Sequence, residues 1–280
     1  VRLATLRTDT GTVAVRLDPE AGIAVEIDGF ADVGALLGAA GWQGLAAAAA
    51  GTPHDLATIE DTSWAPVIPA PGKIVCVGLN YRNHILEMGR KLPEYPTLFA
   101  KYPEALIGPY DAIVLPAAAP DAVDWEGELA VIVGAKARRV SPEQASASIA
   151  GYSVLNDVTM RDYQYRTTEW FQGKTFEASS PFGPVLVTAD EFTNGGELVT
   201  LVDDIEVQHA KTSDLVFGPE ELVSYISQIV TLNPGDVISS GTPGGVGHAR
   251  KPPQYLNPGA RLTTRIDGIG ELRNLVEKEV

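Results

Sequence analysis

Six apolar runs, each bounded by Gly, Pro, Asn or Asp, do most to limit what this chain can fold into; they lie at residues 73–79, 128–134, 184–188, 199–207, 236–240 and 261–266. Runs of this length between breakers read as strands. Only two segments carry clear helix signals. One opens at Ser141-Pro142-Glu143-Gln144, with serine at the cap, proline in the first turn and glutamine three residues after the cap. The other opens at Gly218-Pro219-Glu220-Glu221, puts Leu222, Val223, Ile226, Ile229 and Val230 on one face, and meets a stop at Asn233-Pro234-Gly235. Many strands and few helices, without regular alternation, predict a β-rich α+β fold rather than a doubly wound sheet.

Ahead of these runs, residues 2–7 and 12–17 alternate apolar and polar around Thr8-Asp9-Thr10-Gly11, the pattern of a hairpin. The alanine-rich stretch from Leu36 to Ala50 predicts a short helix. A proline cluster follows, Ala65-Pro66 and Pro69-Ala70-Pro71-Gly72, and marks a boundary between a small N-terminal domain over 1–68 and a main domain over 69–280.

The 36 acidic against 21 basic side chains give a net charge of −15. The resulting field repels phosphate, which argues against nucleic acid or an anionic membrane as partner. No apolar stretch approaches the length of a membrane span, and Arg2, Arg7 and Arg16 punctuate an alternating N-terminus, so neither a span nor a secretory signal is expected and the cytoplasm is the default. The single cysteine, Cys76, sits in Ile74-Val75-Cys76-Val77 and reads as a small buried hydrophobe rather than a nucleophile.

The sharpest local feature is Asp124-Trp125-Glu126-Gly127-Glu128, leading into Leu129-Ala130-Val131-Ile132-Val133. Two glutamates at i and i+2 of an extended segment project from one face. Like charges that close repel unless a cation sits between them or water screens them, so the pair is either a solvated strand face or half of a site for a hard divalent ion. A second strand end delivers Asn156-Asp157, where the aspartate reads equally as a ligand or a helix cap. The turn after it places Arg161 and Gln164 together at i and i+3.

From about residue 70 onward the chain resembles the fumarylacetoacetate hydrolase family. The matching stretches include Val77-Gly78-Leu79-Asn80-Tyr81-Arg82-Asn83-His84, Phe99-Ala100-Lys101, Asp124-Trp125-Glu126-Gly127-Glu128-Leu129 and Asn156-Asp157-Val158-Thr159. They continue in order through Gly173-Lys174-Thr175-Phe176, Pro181-Phe182-Gly183-Pro184, Pro234-Gly235-Asp236-Val237-Ile238, Gly241-Thr242-Pro243-Gly244-Gly245-Val246-Gly247 and Gly268-Ile269-Gly270-Glu271-Leu272-Arg273-Asn274. The resemblance implies a β-roll catalytic domain behind a small N-terminal α/β domain, in a homodimer. It assigns Glu126, Glu128 and Asp157 to Mg²⁺ or Mn²⁺, and Lys174, Arg161, Gln164 and Thr242 to substrate. It places His84 and Glu87 as a catalytic pair on a lid over residues 82–95 that contains Gly89. Taken alone, Gly173-Lys174-Thr175 lacks the upstream glycine of a phosphate loop, and nucleotide binding is rejected.

A divalent ion held by three carboxylates acts as a Lewis acid toward a small 2-oxo acid. Three reactions use that property. The leading expectation is C–C hydrolysis of a 2,4-dioxo acid of the acylpyruvate type, as in aromatic catabolism, with His84 activating water. The alternatives are an oxaloacetate-type decarboxylase or a keto–enol isomerase, and, from another class, a non-catalytic small-acid binding protein. Three departures from the family pattern stand out: Ala260 follows the turn Asn257-Pro258-Gly259, Met160 replaces a small residue beside Arg161 and is expected to reshape the pocket, and the segment Tyr163 to Phe171 is rich in aromatics. Packing is the expected role of those aromatics, with a pocket wall as the alternative.

Overall fold

The structure is a computed structural model that describes residues 1–279 apart from residues 88, 90, 193 and 194; the side chains of His84 and Glu87 also lie outside the described set. Its main sheet has eleven strands. Ten of them run in the order Pro53–Asp55, Ile23–Glu26, Gly11–Asp18, Arg2–Thr8, Ser180–Thr188, Ile149–Asn156, Gly127–Val133, Val237–Ser239, Ile74–Gly78 and Thr97–Lys101, with Leu106–Ile107 pairing beside Ser180–Thr188. A second sheet of five strands orders Ile205–Lys211, Glu197–Val202, Arg261–Ile266, Gly270–Lys278 and Ile113–Leu115. The expected β-rich α+β class holds, with 37% strand and 19% helix.

The apolar runs lack alternation because the central strands are covered on both sides. Every residue of Gly127–Val133, Ile149–Asn156 and Ser180–Thr188 is buried. Successive side chains divide between two cores: Leu129, Val131 and Val133 enter one, Ala130 and Ile132 the other. Helix Pro219–Ile229 covers the first through Leu222, Val223 and Ile226, together with Leu198, Ile266 and Leu272 of the second sheet. Short helices Val33–Leu37 and Trp42–Ala47 cover the second. Glu128 shares the face of Ala130 and Ile132, so it opens toward this second side.

The N-terminal hairpin continues the main sheet. Arg2 pairs with Val187 and Leu3 with Leu186. The chain on either side of the proline cluster therefore shares one sheet and one core, which includes Val33, Leu36 and Leu37 from one part and Ile74, Cys76 and Phe182 from the other.

Local differences from expectation have local causes. The run 199–207 is two strands, Glu197–Val202 and Ile205–Lys211, joined through Asp203 and Asp204 at φ 50° and 64°. Such values suit the tight hairpin turn that matches strand twist. The alanine-rich stretch forms two helices, parted near Gly41, whose φ of 71° lies in the left-handed region. Ile229 is 62% exposed and Val230 40%, because the last turn of their helix runs past the core it covers. The capping box at Ser141 forms as expected, on a helix of one turn, Pro142–Ala145. No helix among the described residues is long and apolar enough to cross a membrane.

Candidate metal centre

Two strand ends build the site. Gly127 pairs with Asn156 across the sheet, so Glu126 and Asp157 lie side by side just beyond the ladder. The Asp157 amide donates to the Glu126 carbonyl at 2.8 Å, and the Glu126 amide donates to Oδ1 of Asn156 at 2.9 Å. Asn156 is in turn fixed by donating to Thr264 at 2.8 Å. Asp157 caps no helix: the next one, Arg161–Gln164, begins after Met160 with no side-chain cap. Glu126, Glu128 and Asp157 each bring one carboxylate oxygen into a group whose members all lie within 4.8 Å of one another, and all three residues are buried.

Cations and donors frame this triad. The Lys174 ammonium bridges Glu126 Oε2 at 2.7 Å and Asp157 Oδ2 at 2.8 Å. Arg161 reaches Glu126 Oε1 with Nη2 at 2.7 Å, Asp124 Oδ2 with Nε at 2.8 Å, and Gln164 Oε1 with Nη1 at 2.8 Å. Glu128 Oε2 accepts from the Ser239 hydroxyl and from the Gly241 amide. Lys101, fully buried, lies 3.0 Å from Asp157 Oδ1 and donates to Ser180 at 2.8 Å and to the Lys174 carbonyl. Asp157 Oδ1 therefore has the Lys101 ammonium as its ion-pair partner.

The electrostatics fit a divalent cation. Burial, then the nearby charges of Asp157 and Glu126, push the Glu128 carboxyl well above the ordinary range. Burial also opposes ionisation of Asp157, but the ammoniums of Lys174 and Lys101 outweigh it and hold that carboxyl below its usual value. Lys174 is raised despite burial because Asp157 and Glu126 face it, so it stays an ammonium. Four buried carboxylates, Asp124, Glu126, Glu128 and Asp157, stand against three buried cations, Lys101, Arg161 and Lys174. A hard divalent ion relieves the repulsion at Glu128.

Of the triad, Glu126 lines a cavity of about 390 Å³, whose floor it shares with Arg161, Gln164, Lys174 and Thr242. The Thr242 hydroxyl donates to the Gly127 carbonyl at 3.0 Å and accepts from Gln208 at 2.8 Å, so its loop is tied to the ligand strand. A larger hollow of about 770 Å³ beside Tyr81, His209 and Lys211 contains none of the triad. His84 and Glu87 belong by backbone to helix Arg82–Glu87, and their side chains lie outside the described residues.

Sequence reasoning misses four residues here. Lys101 carries no local sign of its pairing. Asp124 receives the amides of Trp125, Gly247 and His248 as well as Arg161, and so locks the site's arginine to the glycine-rich loop. Gln208 accepts from the Gly127 amide at 3.0 Å from a strand with no motif. His248 lines the cavity mouth. Met160 does not reshape the pocket; it is fully buried against Val123, Trp125 and Val158 in a third core. The aromatic segment divides: Tyr163 packs on Phe176 and Phe171 on Tyr102, whereas Tyr165 and Trp170 line the cavity.

Residues 73–277 match the family model described as Fumarylacetoacetate (FAA) hydrolase C-terminal. The chain is 42% identical over 221 residues to the mitochondrial oxaloacetate tautomerase FAHD2A of Homo sapiens, spanning 78% of this chain and 70% of that protein. Its structure is similar to that of a fumarylacetoacetate hydrolase from the psychrophilic Exiguobacterium antarcticum, with a TM-score of 0.88, 31% identity and 99% of each chain covered. It is also similar to a maleylpyruvate hydrolase from Sphingobium sp. SYK-6, solved with manganese(II) and pyruvate, with a TM-score of 0.81, 27% identity and full coverage of both chains.

Proposed function

Because the chain belongs to the fumarylacetoacetate hydrolase family, we propose that it is a divalent-metal-dependent enzyme that enolises a small 2-oxo acid, with keto–enol isomerisation as its reaction. The observation that carries this reading is the buried triad of Glu126, Glu128 and Asp157 with the Lys174 ammonium bridging two of its members. An ion bound there, Mg²⁺ or Mn²⁺ by the hardness of its oxygen ligands, would supply Lewis acidity toward the 2-oxo group. Arg161 and Thr242 orient the substrate carboxylate at the cavity floor. Lys174 keeps its proton and lines the cavity floor, from where it would stabilise the negative charge that grows on the 2-oxo oxygen as carbon 3 loses a proton. We assign the proton transfer at carbon 3 to His84, with Glu87 three residues on, from the family resemblance of this stretch.

Isomerisation is preferred to C–C hydrolysis because the tautomerase relative shares 42% identity and the maleylpyruvate hydrolase 27%. Hydrolysis is the second reading, supported by that neighbour's full-length likeness. Deuterium exchange at carbon 3 of pyruvate, oxaloacetate and phenylpyruvate, followed by NMR with Mg²⁺ or Mn²⁺ present, tests enolisation directly. Lys174→Met is expected to slow exchange by roughly 100-fold. Pyruvate release from acylpyruvates without metal-dependent exchange would replace the first reading by the second.

A further inference from the structure

Between the ligands Glu126 and Glu128 lies Gly127, whose buried backbone needs hydrogen-bond partners of its own. Strand Val237–Ser239 pairs with the ligand strand from Ala130 to Ile132, and the Ser240 amide then donates to the Leu129 carbonyl. Two side chains extend the ladder from there. The Gly127 amide donates to Gln208 Oε1 at 3.0 Å, and the Gly127 carbonyl accepts from the Thr242 hydroxyl at 3.0 Å. A β-carbon at position 127 would overlap Thr200 Oγ1, so glycine is what lets the second sheet come this close.

Hydrogen counting fixes how Gln208 and Thr242 face one another. Gln208 is buried, and its Nε2 donates to Thr242 Oγ1 at 2.8 Å and to the Pro243 carbonyl at 3.1 Å. Turning the amide over would set its two hydrogens against the Gly127 N–H and its oxygen against the Pro243 carbonyl, so one orientation is dictated. Both Nε2 hydrogens are therefore engaged, and Thr242 Oγ1 is an acceptor toward Gln208. The hydroxyl has one hydrogen of its own, and that points to the Gly127 carbonyl. Thr242 lines the cavity floor. In this setting it turns a lone pair toward the cavity, which is the wrong polarity for a carboxylate. Its hydrogen reaches a carboxylate by leaving the Gly127 carbonyl. That exchange is favourable, since a hydrogen bond to an ionised acceptor is roughly twice as strong as one between neutral groups.

We propose that Gln208 is a positioning residue: by donating to Thr242 Oγ1 it confines the hydroxyl hydrogen to two settings, the Gly127 carbonyl when the site is empty and the substrate carboxylate when it is filled. The inference rests on the reading in which Thr242 orients that carboxylate. It gives strand Ile205–Lys211 of the second sheet a part in binding without contact to substrate. The carbonyl that loses its donor lies between Glu126 and Glu128, so capture of the carboxylate is felt on the ligand strand itself.

Oxamate, an unreactive analogue of a 2-oxo acid, tests this with the Mg²⁺-loaded protein. Its affinity is measured by calorimetry for the wild type, Gln208→Met, Thr242→Val and the double variant. Thr242→Val is expected to weaken binding about tenfold. Gln208→Met is expected to weaken it about fivefold when Thr242 is present and less than twofold when Val replaces it. Equal losses from Gln208→Met in the two backgrounds are a packing effect and overturn the proposal, as does unchanged affinity in Thr242→Val. The wild type gives a second readout that holds even where Gln208→Met fails to fold. Carbonyl-¹³C glycine combined with ¹⁵N-glutamate isolates the Gly127-Glu128 bond together with Gly196-Glu197 and Gly270-Glu271. On saturation with oxamate the Gly127 carbonyl signal should move upfield as it loses the hydroxyl hydrogen, and in Thr242→Val it should start upfield and stay there. A Gly127 signal that does not move in the wild type overturns the proposal alone. Failure of oxamate to bind the metal-loaded wild type overturns the enolising reading and the proposal with it.

Discussion

Glu128 is the residue on which the metal-free and metal-loaded proteins should differ most. Its carboxyl is buried beside Asp157 and Glu126, which raises its folded pKa above the unfolded value near 4.5. A raised carboxyl favours folding while both states are protonated, and that contribution is lost as pH rises through and above the unfolded value. Glu128→Gln removes the titration and keeps the shape. Without metal, its urea midpoint should match the wild type near pH 5 and exceed it near pH 8. With Mn²⁺ at about 100 times its Kd, the wild type should gain about 2.7 kcal/mol and the variant little or nothing. Equal Mn²⁺ gains in the two proteins would remove Glu128 from the ligand set.

At the scale of elements, one buried side chain ties three segments to the site. Asn80, fully buried after strand Ile74–Gly78, donates to the Ser240 carbonyl at 2.8 Å and the Phe217 carbonyl at 3.0 Å, and accepts from the Phe217 amide at 2.9 Å. Ser240 lies between the two residues that hold Glu128, and Phe217 precedes helix Pro219–Ile229. Asn80→Ala should cost about 3 kcal/mol in urea unfolding, because buried backbone groups lose their partners; a loss under about 0.5 kcal/mol would show that those groups find other partners. The family resemblance brings Asn80 into a matching stretch, but its role depends on chain 137 and 160 positions away. The same contrast separates what was legible from what was not. The glutamate pair stands out because carboxylates at the end of an apolar strand are locally odd, but only the family resemblance chooses a metal over a solvated face or, for Asp157, over a helix cap; the Ser141 cap is legible because its whole chemistry lies within four residues. Lys101, Gln208 and His248 act only through partners distant in sequence, so no spacing reveals them. The Asp203-Asp204 turn escapes because neither position carries the glycine that usually signals a positive φ.

For the whole molecule, the question is whether residues 69–280 stand alone. The family model begins at residue 73, and the proline cluster suggests a seam. The sheet crosses that seam, and the second core draws Val33, Leu36, Leu37, Trp42 and Ile68 from the N-terminal side. Burial of each such side chain stabilises by about 1.5–3 kcal/mol. Five of them together match the whole stability of an ordinary domain, about 5–15 kcal/mol. Removing residues 1–68 would also bare Ala130, Ile132, Phe182 and Leu186, on the sheet face that Glu128 shares, and leave the Leu186–Val187 end of strand Ser180–Thr188 as an open edge. The fragment 69–280 is therefore expected to aggregate or to lack near-UV circular dichroism, and to show no Mn²⁺-dependent rise in melting temperature. A monodisperse fragment that binds Mn²⁺ with wild-type affinity would show that the metal centre needs only its own strands. Loss of both fold and binding, restored by co-expressing residues 1–68, would place the N-terminal segment inside the architecture that holds Glu128 against its neighbours.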